Sequence, residues 1–294
     1  MIYPNYYTKN KKILTPNYTF IQLYQSNHFI QEIKTLIKRL YIQLYRRPSG
    51  IFASIIQSLL WLILFGALFQ NAPLSLISQY KIKYFHFLSY GLIIFTAFSS
   101  SINAGLPIVF DREFGFFNRL IISPLVYKNT IFYSLLIYSI TIGIIQVVCI
   151  FIASIYFSKL KCEINNIFII SKVICLIIFN IANVSITISL ILPGHVEFLA
   201  FTLLINLPTL FASTALAPLY FMPHWLQALT CFNPLTYAIE ITRLLCIEKT
   251  FSLKAKTIET AFLQLNIIES LTLLIIVSIL SFITTHKVLQ YKYN

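Results

Sequence analysis

The chain has 294 residues, of which 58% are hydrophobic and only 11% charged, with a formal net charge of +13. Soluble globular domains carry roughly a quarter charged residues, so this composition excludes an ordinary water-soluble domain and points to the membrane. Marking every Lys, Arg, Asp and Glu leaves, among the charge-free intervals, six long and apolar enough to matter: 48–80, 84–110, 129–158, 173–196, 198–239 and 270–286.

A helix crosses the hydrocarbon core in about 20 apolar residues, within a range of roughly 17–25. The intervals therefore predict an all-α, polytopic membrane protein with six transmembrane helices. Residues 1–28 mix Tyr, Asn, Lys and Pro without an apolar core. They form a polar tail with no secretory signal and no obvious transit peptide. Across 29–47, Ile30, Ile33, Ile37, Leu40 and Leu44 recur on one helical stripe, widened by Leu36 and Tyr41. Glu32, Lys34, Lys38 and Arg39 fill the remainder, so this segment is an amphipathic helix suited to the membrane interface.

Arg46-Arg47-Pro48 leads into the first span, about 50–69. The second span, 84–106, is closed by Pro107, and the third covers 130–157. In the fourth, 168–192, Lys172 can snorkel to the interface. The Pro193-Gly194-His195 turn follows, and then a fifth span, 198–217, with Pro208 as a kink. A long segment, 218–264, precedes the sixth span at 265–285. Residues 29–290 thus read as a single membrane domain without internal repeats.

Six crossings place both termini on one side. Eight Lys and Arg precede residue 50, three lie in 107–128 and two follow 286, against nine on the opposite side. By the positive-inside rule, the termini and the 107–128 loop face the cytoplasm or stroma. That loop holds FDREFGFFNRLIISPL, with the only Asp of the chain. Asp111, Arg112, Glu113 and Arg119 would together cost on the order of 10 kcal/mol at the centre of a bilayer, at about 2.5–3.5 kcal/mol each, so the segment lies outside the core. Phe110, Phe114, Phe117 and Ile121 recur at helical spacing, and Ser123-Pro124 stops the helix. A short aromatic and charged helix on the inner face suits a groove on a soluble partner; the plainer alternative is a loop that caps two helices.

Chemistry is excluded more than it is indicated. None of the seven Gly is followed by Lys, so there is no P-loop, and HExxH and GxSxG are absent. No span carries a pair of acids for a proton relay, which disfavours an ion-coupled carrier. The five Cys show no paired metal-ligand spacing, so no metal is expected. Cys231 and Cys246 share the long outer segment and could pair only if the fold brings them together. Asn180, Asn183 and Thr187 share one face of the fourth span, and the second span carries the run Ser99-Ser100-Ser101 with Asn103. Such residues more often bridge helices than line a substrate path. At 233–243, Asn233 fits an N-cap and Pro234 the first helical position. Glu240 and Arg243, three apart, can pair on an exposed face for about 0.2–0.5 kcal/mol. The abundance of Ile, Phe, Tyr, Asn and Lys over Gly and Ala suggests an AT-rich genome, and so a plastid membrane or a bacterial plasma membrane.

Two segments carry a resemblance. FDREFGFFNRLIISPL resembles the acid–Arg–Glu, Gly, Arg-Leu, Ser-Pro-Leu signature of ABC-2 type transporter permeases, which follows their second membrane helix. CFNPLTYAIEITRLL (231–245) resembles the Asn-Pro-Leu-Thr-Tyr and Arg segment between their helices five and six, and LYFMPHWLQAL (219–229) the stretch before it. The resemblance covers about residues 27–290. It implies a dimer, of self or with a homologous permease, in the lipid bilayer, worked by separate P-loop ATP-binding subunits. ATP and Mg2+ would sit on those subunits, no cofactor on this chain, and nucleic acid has no part. Asp111, Arg112, Glu113, Gly115, Arg119, Leu120, Ser123, Pro124 and Leu125 match the motif that couples to the ATPase. Asn233, Pro234, Leu235, Thr236, Tyr237 and Arg243, with Glu240 beside them, match the outer gate helix. Phe114, Phe116 and Phe117 depart from the family pattern and make this inner surface more apolar. The expectation is a non-enzymatic exporter subunit. The rivals are an ATPase-independent carrier or channel, and a scaffold or assembly factor that recruits a partner through 110–122.

Overall fold

In hydrocarbon every backbone polar group must be satisfied within the chain, which leaves a charge-free run of this length one option, the helix. The computed structural model describes residues 18–69, 84–123, 129–158, 164–247, 256–259 and 264–293, and almost all of them are helical. Among the described residues five helical runs are long and apolar enough to cross a membrane: Ser49–Leu68, Tyr84–Glu113, Thr130–Phe157, Asn166–Ile191 and Ile267–Tyr291. The fold is an all-α polytopic membrane bundle.

Helix α1, Tyr18–Arg46, begins well before the expected residue 29, so part of the supposed polar tail is helical. Leu36 and Leu40 are buried against α6, Thr130–Ser158. The rings of Tyr41 and Tyr138 meet edge-on there at 5.6 Å. Ile30, expected on the same stripe, is instead exposed. Helix α2, Ser49–Leu68, packs on α3, Tyr84–Ser101, which is buried on nearly every side and forms the centre of the bundle.

Pro107 does not close the second span as expected. Helix α3 ends at Ser101, and Pro107 lies in the first turn of α4, Leu106–Glu113. Proline lacks the N–H that a first turn leaves unbonded anyway, and its φ is already helical. The Ser185 hydroxyl of α7, Ile164–Ile191, bridges the break: it donates to Ile102 O (2.6 Å) and accepts from Gly105 N (2.9 Å). A Cβ at Gly105 would lie 2.6 Å from Ser185 O, so only glycine lets the backbones come this close. The 30-residue run Tyr84–Glu113 is about 45 Å long at ~1.5 Å per residue, against a core of about 30 Å. Its charged end, α4, therefore projects beyond the inner face.

The fifth expected span also differs. Helix α8, His195–Phe211, is apolar but has 17 residues, about 26 Å at ~1.5 Å per residue. It ends at Ala212, one turn past Pro208, and Ser213, Thr214 and Ala215 continue without helix but buried. The following segment is not a surface loop. After a short 3-10 turn, α9, His224–Phe232, and α10, Pro234–Ile247, bring the chain back, and α10 packs against α3, α7 and α11. A two-stranded hairpin, β1 Lys256–Glu259 and β2 Gln264–Asn266, leads to α11, Ile267–Tyr293, which lies along α7.

Candidate coupling site on the inner face

The expected single helix over 110–122 is two helices joined by an elbow. Gly115, at φ 68°, separates α4 from α5, Phe116–Ile122. The Phe114 N–H donates to Phe110 O at 3.0 Å and the Gly115 N–H to Arg112 O at 3.1 Å, which closes α4. A side chain at this left-handed position costs about 1–2 kcal/mol, so the glycine makes the elbow. Beyond it Phe117 turns inward into a cluster with Leu40, Ile108, Phe132 and Leu190. Phe114, Phe116, Asn118 and Arg119 stay exposed, Phe114 by 70%.

Three consecutive charges just before the elbow hold three different helices. Asp111 pairs with Arg39 of α1, whose guanidinium also lies 4.3 Å from the Phe116 ring centroid. Arg112 reaches the end of α7 and donates to Leu190 O (3.2 Å), Leu192 O and Pro193 O (2.9 Å). These carbonyls have no partner within the helix, and the helix dipole favours a cation there. Glu113 does the converse at the start of α8. It accepts the His195 backbone N–H at 2.6 Å and meets His195 Nδ1 at 2.5 Å. The His195 N–H is the main reason that the Glu113 carboxyl is held below its ordinary pKa, with the imidazole and Arg112 adding to it and partial burial opposing. Burial pushes the Asp111 carboxyl up, against the pull of Arg39.

Arg39 and His195 were not singled out as site residues in the sequence, whereas Phe116 stood out only for making the surface more apolar. Glu113 and His195 are 82 residues apart, and the one available signal was that both flank inner-side turns. Ser123 leaves α5 in extended conformation, its hydroxyl bonded to Leu120 O at 2.5 Å. Pro124 lies outside the described residues.

At the opposite end of α3, Asn233 caps two helices with one amide. Its Nδ2 donates to Thr209 O (3.1 Å) and Ala212 O (2.8 Å) at the end of α8, and its Oδ1 accepts the Leu235 N–H (3.0 Å) at the start of α10. Pro234 opens α10, and Tyr237 Oη donates to Cys231 O at 2.5 Å. The Glu240–Arg243 pair is not on an exposed face. Arg243 is fully buried; Nη1 donates to Glu240 Oε1 at 2.5 Å and Nη2 to Thr214 O at 2.9 Å, and the guanidinium sits 3.6 Å from the Phe87 ring centroid. Because α10 folds back into the bundle, the face read as solvent-exposed meets α3 and the 212–217 segment.

In the fourth span, the Thr187 hydroxyl donates to Thr285 Oγ1 of α11 at 2.8 Å, and Thr285 lies 3.1 Å from Asn183 O. Asn180 and Asn183 are buried, with Asn180 Nδ2 and Asn183 Oδ1 unpartnered. This polar face joins α7 to α11. Among the described residues no three His, Cys, Asp or Glu side chains gather as metal ligands, so what the inner site offers is charge and mechanical linkage.

The family described as ABC-2 type transporter matches residues 31–246. The chain belongs to that family. It is 45% identical over 273 residues to a Pyropia yezoensis protein described as "Putative transport permease ycf38", with 93% of each chain covered. Relatives of the same description from Porphyra purpurea, at 40% over 92% of each chain, and Cyanophora paradoxa, at 41% over 97% of this chain and 98% of its own, match alike. The protein is thus a membrane subunit of a transporter, and an integral, multi-pass permease of a plastid membrane. The 31–246 match takes in α1, the elbow and α10 but stops before α11.

Proposed function

We propose that this permease exports a substrate with ATP hydrolysed by separate P-loop subunits, that it works as a dimer with itself or a homologous permease, and that the Gly115 elbow receives the force. The observation that carries this reading is the run Asp111-Arg112-Glu113, which ties the exposed elbow to α1, α7 and α8 at once. A partner that grips Phe114, Phe116 and Arg119 moves those helices as linked rigid bodies rather than one loop. Nucleotide and Mg2+ belong to the partner subunit. At the outer end, α10 acts as the gate element, held shut by Arg243 and by the double cap of Asn233.

The test is a pull-down from gently solubilised native membranes, read by mass spectrometry. Wild type is expected to bring down a P-loop ATPase. Arg119→Ala, which alters only the exposed surface, should cut recovery several-fold, and Glu113→Ala, which uncouples α8, should leave recovery higher than Arg119→Ala does. If the wild type retains no ATPase, the ATPase-coupled reading falls, and an ATPase-independent carrier or a scaffold takes its place.

A further inference from the structure

A cavity of 430 Å³ opens beside the break between α3 and α4, walled by α1, α2, α3, α4, α6 and α8. It runs from Arg47 and Phe110 at the inner face to Gln57 and Gln146, about 10 Å along α2 at ~1.5 Å per residue from Gly50. Its volume falls in the roughly 300–1,000 Å³ of small-molecule sites.

Its walls are mostly apolar, but they carry amides that the bundle leaves incomplete. Asn206, 7% exposed, and Gln43 each have a buried amide oxygen with no partner among the described residues. Asn103, exposed at the wall, spends one of its two Nδ2 hydrogens on Ser99 O at 3.1 Å, so its second N–H and its oxygen both remain available. The hydroxyls of Ser54, Ser139 and Thr202 are turned back on their own helices, to Ile51 O, Leu136 O and Leu199 O at 2.9 Å each. They offer acceptor lone pairs and no proton. An unsatisfied buried polar group costs about 1–3 kcal/mol, so the two unpartnered amide oxygens of Gln43 and Asn206, beside three hydroxyls whose protons are spent, call for a guest with O–H or N–H donors.

Charge narrows the guest further. Among the described residues no Asp or Glu lines the cavity, and Arg47 at the mouth is the one charged residue of its wall. A cationic guest would find no counter-charge. A hydroxyl donates to an amide oxygen and accepts from an amide nitrogen, so it suits Asn206 whichever way that side chain is turned.

We propose that this cavity binds a neutral amphiphile bearing several hydroxyl groups, with its apolar portion against Leu40, Ile142 and Leu203. Calling that guest the cargo rests on the transport reading; its binding does not.

The test uses the full chain in phosphatidylcholine nanodiscs and three diazirine-tagged alkyl amphiphiles of equal chain length. Their headgroups are maltoside, phosphocholine and trimethylammonium, and adducts are mapped by peptide mass spectrometry. The maltoside probe should label peptides spanning 99–107 and 199–206 at least fivefold more than the ammonium probe, and excess unlabelled alkyl maltoside should abolish that labelling. Asn206→Leu and Gln146→Leu should each reduce it at least threefold, while labelling at the exposed Ile276 and Leu280 is unchanged. Equal cavity labelling by all three headgroups, or none by maltoside, overturns the proposal, as does labelling unaltered in both variants. If Asn206→Leu fails to fold, the wild-type headgroup comparison and Gln146→Leu decide. No step needs an ATPase, so failure here is distinguishable from failure of the pull-down.

Discussion

At the scale of single residues, Arg243 is the side chain with most to lose. It is the largest fully buried side chain, and its charge is matched by Glu240 and the Phe87 face. Removing one partner of a buried pair costs about 3–5 kcal/mol, whereas replacing both is often far milder. Glu240→Gln and Arg243→Gln are therefore each expected to destabilise by that order, and the double variant by less than their sum. Unfolding in mixed detergent micelles, followed by circular dichroism, measures the cycle. Glu113 gives a pH prediction with a definite sign. A carboxyl whose folded pKa is depressed stabilises the fold above its unfolded pKa, and that contribution is lost as pH falls through the depressed value. The α4–α8 clip should thus persist at neutral pH and release only below the ordinary carboxylate range. Spin labels at Phe114→Cys and Val196→Cys, both exposed, in a background freed of native cysteines, should report a broadened distance distribution there. His195→Ala keeps the backbone N–H, so it should shift the release upward only part of the way.

At the scale of elements, helix placement was legible in the sequence and helix breaks were not. The apolar runs placed α2, α6 and α7 to within about four residues and located α3 and α11. They missed the end of α3 at Ser101 and the extension of α11 to Tyr293. So long an apolar run satisfies its backbone in hydrocarbon as a helix. Periodicity at 110–122 suggested one helix, since the 3.6-residue pattern of Phe110, Phe114 and Phe117 continues smoothly through Gly115. Nothing in that spacing reports φ. Gly115 has open space around its would-be Cβ, so its substitution tests backbone conformation alone. Gly115→Ala should lower ATPase recovery in the pull-down and destabilise by about 1–2 kcal/mol. Gly115→Asn, which tolerates the left-handed region, should retain most of both. A thermal shift of similar size in the two variants would contradict the elbow.

At the scale of the whole molecule, orientation follows from charge counting and is open to direct measurement. With the inner face as assigned, a thiol at Asn118→Cys should react with an impermeant maleimide only from the stromal or cytoplasmic side. One at Trp225→Cys, exposed on α9, should react only from the opposite side; labelling of both from one side would reverse the number of crossings. The sequence alone was enough for the membrane, the helical class, the family resemblance, and the exclusion of the inner charges from the bilayer core. Hydrocarbon thickness and the cost of a buried charge act on short local windows, so each of these can be read a window at a time. Only the tertiary structure decided that α10 folds inward to bury Glu240 and Arg243, that His195 meets Glu113 across 82 residues, and that six helices leave a mostly apolar cavity with a few amides in its wall. Those outcomes depend on which faces meet, and packing is a contest among long-range contacts that no local period records.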